Sequence, residues 1–174
     1  MTHCMLDLET WGTKPGCAIR SIGAVMFDED GLGREFYINV DDASCASLGL
    51  TKDKSTVDWW AQQSAAAQAA LVFDPMPLGE ALVSFLAFWK STNAKYIWGY
   101  GATFDPPILE ACLDAVGLDA PWDFWNVRCS RTALAMANRR PKREVGTHHN
   151  ALDDAKAQAV ALIAALKFKQ FNLG

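Results

Sequence analysis

Asp7 and Glu9 stand two residues apart inside the apolar run Met5-Leu6-Asp7-Leu8-Glu9-Thr10. On a strand, alternate side chains share a face, so the two acids point one way and Leu6 and Leu8 the other. Two neighbouring carboxylates on a buried strand repel each other and lose hydration, and a divalent cation between them relieves both costs. A strand end at which both acids reach water is the alternative. A third acid, Asp105, closes the run Gly99-Tyr100-Gly101-Ala102-Thr103-Phe104-Asp105, which follows a predicted strand and opens a helix. The run lacks the third glycine of a dinucleotide-binding loop. With Pro106 behind it, Asp105 also reads simply as a helix N-cap. Near the C-terminus, His148-His149-Asn150-Ala151-Leu152-Asp153-Asp154 opens the last helix. Asn150 and Asp153 have capping-box spacing. Asp154 lies off the apolar stripe of Leu152, Ala155, Ala159, Leu162, Ile163 and Leu166, on the side it shares with Gln158. A histidine beside acids is a candidate general base.

The elements that carry these residues follow from periodicity and turn signals. Three strands are expected early: around Met5–Thr10, over Ser21–Phe27 and over Arg34–Val40. Turns at Trp11–Gly16 and Asp28–Gly33 separate them. Such short connections favour an antiparallel meander. Asp41 to Lys54 reads as polar and irregular. Helices are predicted from Ser55-Thr56 through Gln63 and on into an alanine-rich stretch, then over Leu78–Trp89, Ile108–Val116, Ser130–Asn138 and about Asn150–Phe168. A buried strand is predicted at Tyr96–Gly99 and a short one at Asp123–Asn126. The order implies an α/β domain with a mixed sheet, antiparallel at the front and parallel later, with flanking helices.

Composition narrows the class. The 174 residues suit one domain with a full core, and 51% hydrophobic against 21% charged residues describes a globular chain. A net charge of -4 argues against coating nucleic acid by bulk charge while leaving room for a local basic groove. Arg139, Arg140, Lys142 and Arg143 form a basic loop just before His149. Five cysteines without a C-x-x-C pair suggest reduced thiols in a cytoplasmic setting. No apolar run approaches the roughly 20 residues of a membrane span, and no signal peptide is expected.

Taken together, Asp7-x-Glu9, Asp105 and His149 with Asp154 resemble the three motifs of the DEDDh 3′–5′ exonucleases. Thr56-Val57-Asp58-Trp59-Trp60 with Gln63, Trp98 to Asp105, and His149 to Ala155 with Gln158 are similar to the branch related to exonuclease VIII and to short bacterial exoribonucleases. The resemblance implies a single domain over residues 1–174 with a ribonuclease H-like fold. It also implies two Mg²⁺ or Mn²⁺ ions held by Asp7, Glu9, Asp105 and Asp154, with His149 as general base. The implied partners are DNA or RNA 3′ ends, with no membrane, and a homodimer is compatible with it. Trp11 and Phe104 flank the acids as candidate stacking platforms for a terminal base, and Arg139 and Arg140 as phosphate contacts. Trp59 and Trp60 are expected against the sheet edge or a partner subunit. A catalytically silent nucleic-acid-binding domain on the same fold is the competing expectation.

Overall fold

The structure is a computed structural model and describes residues 1–141 and 150–169. Its centre is a five-stranded mixed sheet. Strands β1 (His3–Thr10), β2 (Ile19–Phe27) and β3 (Leu32–Asn39) form the expected antiparallel meander. Strands β4 (Tyr96–Gly99) and β5 (Val127–Cys129) add in parallel on the other side of β1, giving the order β3-β2-β1-β4-β5. The predicted strand at Asp123–Asn126 lies slightly early: Phe124–Asn126 is a 3₁₀ turn and β5 follows it.

Around the sheet lie α1 (Asp42–Ser47), α2 (Lys54–Trp60), α3 (Ala65–Ala70), α4 (Leu78–Lys90), α5 (Asp105–Ala115), α6 (Ser130–Met136) and α7 (Ala151–Lys169). Helix α1 occupies part of the stretch expected to be irregular. It is short, and Asp41 starts it by accepting from the Ser44 amide. Among the described residues, no helix is long and apolar enough to cross a membrane.

Strand alternation sorts the core into two layers. Cys4, Leu6 and Leu8 of β1 join Ile22, Ala24 and Ile97 in burying Leu82 and Phe85 of α4 and Ile108 and Leu109 of α5. On the opposite face, Met5, Val25, Phe27 and Trp98 pack against Ala155, Ala159 and Leu162 of α7. Asp7 and Glu9 have the parity of Met5 and therefore face α7. Gly23, paired with Asp7 across the sheet, permits the close crossing of α7. A Cβ there would lie 2.2 Å from the carbonyl carbon of Ala151, so any side chain would lift the first turn of α7 from the sheet.

Candidate active site

The site lies where β1 and β4 part company. Their parallel pairing runs from His3 opposite Tyr96 to Met5 opposite Trp98. Beyond Gly99 the chain turns away toward α5, and the carboxyl ends of the parallel strands open a crevice of the kind α/β folds use for ligands. Asp105 closes this gap by accepting a hydrogen bond from the Leu8 amide at 3.1 Å. The N-cap reading of Asp105 is thereby corrected: α5 begins at Asp105 itself, with Phe104 in the cap position, and the carboxylate is spent on β1. Gly99 leaves room for this, since a Cβ there would come within 3.0 Å of Asp105 Oδ2.

Asp154 arrives from the other side. Asn150 starts α7 by accepting from the amides of Leu152 and Asp153, both at 3.1 Å. One turn into the helix, Asp154 meets β1, and carboxylate oxygens of Asp7, Glu9 and Asp154 all lie within 4.8 Å of one another. Glu9, Asp105 and Asp154 are buried and Asp7 is partly accessible. Gln158, one turn after Asp154, donates from Nε2 to Asp7 Oδ1 at 2.7 Å.

Burial dominates the electrostatics of Asp7 and Asp105. Burial, and then the charges of Asp105, Glu9 and Asp154, push the Asp7 carboxyl well above the usual range, against the hydrogen bond from Gln158. Burial pushes Asp105 up to about 7, opposed by backbone amides, the Leu8 amide foremost, and by Arg131. A divalent cation among these oxygens would offset the repulsion between Asp7 and the neighbouring acids. The all-oxygen donor set suits a hard cation such as Mg²⁺ or Mn²⁺.

A cavity of about 430 Å³ opens over the acids, with Asp7, Glu9 and Asp154 in its lining beside Phe104, Trp59 and Trp60. Thr13, Ser55 and Thr56 also line it. Phe104 thus lines the cavity together with three of the acids. Trp11 is not in the lining. The Arg20 guanidinium lies 4.1 Å from the centre of its ring and Lys52 Nζ 4.2 Å, while its indole N–H donates to Asp42. Trp59 and Trp60, expected at a sheet edge or a subunit contact, take part in the cavity wall. Trp60 donates to the Thr10 carbonyl at 2.9 Å, and Trp59 packs edge-on against it and remains 42% exposed.

Arg140 lines a smaller cavity of about 200 Å³ with Tyr100, Asp154 and Gln158, so it borders the acids. Arg139 and Arg140 also line a groove beside Ala157, Val160 and Ala161 of α7. Arg131, given no role by the sequence, lies over the Tyr100 ring at 4.7 Å. His149, Lys142 and Arg143 lie outside the described residues.

Residues 2–166 match the family described as the 3′–5′ exoribonuclease Rv2179c-like domain. The chain belongs to this family. Its fold is the ribonuclease H-like fold of the DEDDh exonucleases, and as a member of the Rv2179c-like family it is a 3′–5′ exonuclease. Solved structures agree on the fold. Exonuclease X in complex with 5′ overhanging duplex DNA is 14% identical with a TM-score of 0.61, covering 97% of this chain and 93% of that one. The nuclease domain of 3′hExo, a DEDDh family member bound to rAMP, is 15% identical with a TM-score of 0.57, covering 97% and 92%. E. coli ExoI in its zinc-bound complex with single-stranded DNA is 15% identical with a TM-score of 0.67, and the match covers 98% of this chain but 42% of ExoI. A comparison with curated proteins finds no match.

Proposed function

We propose that this exonuclease removes nucleotides from RNA 3′ ends with divalent cations, Mg²⁺ or Mn²⁺, held by Asp7, Glu9, Asp105 and Asp154. The convergence of Asp7, Glu9 and Asp154 within 4.8 Å, at the floor of a cavity walled by aromatic rings, carries this reading. Cations held there would supply a lowered water pKa and neutralisation of the charge that develops on the phosphate. Asp7, within 4.8 Å of Glu9 and Asp154 through its carboxylate, would be a cation ligand. Glu9 and Asp154 would serve the side of the attacking water, and Asp105 the side of the leaving oxygen.

His149, five residues before Asp154, would take the proton from the attacking water. The water oxygen bonds to phosphorus, the bond from phosphorus to the 3′ oxygen of the preceding nucleotide breaks, and a nucleoside 5′-monophosphate leaves. His149 must be neutral to accept that proton, so the rate falls at acidic pH. Phe104 and Trp59 would sandwich or flank the terminal base, and Arg140, with Arg139 behind it, would hold phosphates of the chain being shortened.

RNA is favoured by the description of the family, and DNA is the alternative, given that Exonuclease X and ExoI are solved with DNA. The deciding experiment follows matched RNA and DNA oligomers, single- and double-stranded, with Mn²⁺ or with EDTA, and resolves product lengths. The expected result is a ladder shortening from the 3′ end of RNA, absent in EDTA and absent for Asp7→Ala. In His149→Ala, turnover should fall steeply while Mn²⁺ binding stays near wild type. Faster shortening of DNA would reassign the substrate. Binding without shortening would favour the catalytically silent reading.

A further inference from the structure

We infer that Gln158 is a positioning residue for Asp7, fixing one carboxylate oxygen so that the remaining lone pairs face the cation site. This rests on the metal-site reading proposed for the acids. Gln158 lies on the face of α7 that carries Asp154, is 6% exposed, and reaches 151 residues back along the chain to donate to Asp7 Oδ1. The amide must present its nitrogen there, because its oxygen would meet a carboxylate oxygen at 2.7 Å.

The other end of the same amide argues that stability is not its purpose. Gln158 Oε1 is buried and has no hydrogen-bond partner among the described residues. A buried acceptor left unpaired opposes folding. The adjoining face of α7 is apolar, with Ala155, Ala159 and Leu162 in the core, so methionine or leucine would suit position 158 better as packing. What those residues lack is an N–H aimed at Asp7.

The choice of donor fits the same purpose. Lysine or arginine would also bind Asp7, but its charge would neutralise the acid and compete with a cation for it. A neutral amide orients the carboxylate and leaves its charge available, as outer hydrogen-bond partners of metal ligands commonly do.

The test compares wild type with Gln158→Met, and with Gln158→Leu as a second variant, by calorimetric Mn²⁺ titration, thermal unfolding in EDTA, and turnover across a Mn²⁺ series. In the variants, Mn²⁺ affinity should fall about tenfold or more. Unfolding in EDTA should occur at the wild-type temperature or above. Turnover lost at low Mn²⁺ should return at high Mn²⁺, with KM for the oligonucleotide unchanged. Wild-type Mn²⁺ affinity in a folded variant would overturn the inference while leaving the acid cluster standing. Failure of both variants to fold would overturn it too, by showing that the amide serves the core. If wild type itself binds no Mn²⁺, the reading of the acids fails, and this inference with it.

Discussion

Strand β1 buries ionisable side chains at both ends, and the two ends resolve the cost of burial differently. At its start, His3 is 3% exposed, accepts from the Trp98 indole N–H through Nδ1 at 3.0 Å, and stacks on Tyr96 with ring centres 4.9 Å apart. Burial, reinforced by Arg128 and the N-terminal amine, lowers its pKa to about 4. The ring is therefore neutral near pH 7, and its needs are met from within the chain. At the other end, Asp7 and Glu9 sit with Asp154 and Asp105, and burial and mutual repulsion push Asp7 upward with one amide in opposition. One end has shed its charge to fit the fold. The other crowds acids together, and their proximity, added to burial, raises the Asp7 carboxyl, a perturbation common at functional sites.

The comparison breaks most visibly at Asp7. Asp7→Asn should lower 3′-end cleavage by more than about a hundredfold, the upper range for losing an outer partner of a metal ligand. It should also raise the unfolding temperature of the metal-free protein, because one member of a repelling cluster is gone. A wild-type cleavage rate would show that the acids are not the reacting site. Trp59→Ala comes next. Loss of one stacking partner, worth about 1–3 kcal/mol, should raise KM about tenfold with little change in unfolding temperature. An unchanged KM would make the ring a bystander.

The third effect is a pH slope. The Asp105 carboxyl, pushed up to about 7, binds its proton more tightly folded than unfolded, where the value is near 3.9. Between those values the folded state holds more protons, so stability falls as pH rises through this window and levels off above it. In EDTA, the unfolding temperature should decline from pH 5 to pH 8, and Asp105→Asn should make the decline shallower. A rising wild-type curve would contradict the sign. The smallest effect on catalysis belongs to the other end of β1. His3→Phe leaves the Trp98 N–H without its acceptor and should cost about 1–3 kcal/mol of stability, while turnover stays within about twofold.

These positions differ in how openly the sequence announces them. The face shared by Asp7 and Glu9 follows from alternation, and the placement of Asp154 off the apolar stripe from helical periodicity. Both are local rules that the packing on either side of β1 respects. Asp105 was ambiguous because a cap and a cross-strand acceptor need the same residue type, and only the distant Leu8 amide distinguishes them. Trp11 misled for a similar reason. It is next in line to the acids, but the cations that cover it, Arg20 and Lys52, come from β2 and from the segment before α2. Trp59 could be placed only once α2 was seen to border the crevice. Local rules made chemistry within one element legible, whereas the meeting of Asp7 and Glu9 with Asp154 could be expected only through the family resemblance.

The most direct measurement is anomalous diffraction from crystals of the wild-type protein soaked in Mn²⁺. Manganese peaks should be contacted by carboxylate oxygens of Asp7, Glu9 and Asp154 and be lost in Asp7→Asn. Manganese bound elsewhere, or none at these acids at concentrations that support cleavage, would contradict the metal-site reading.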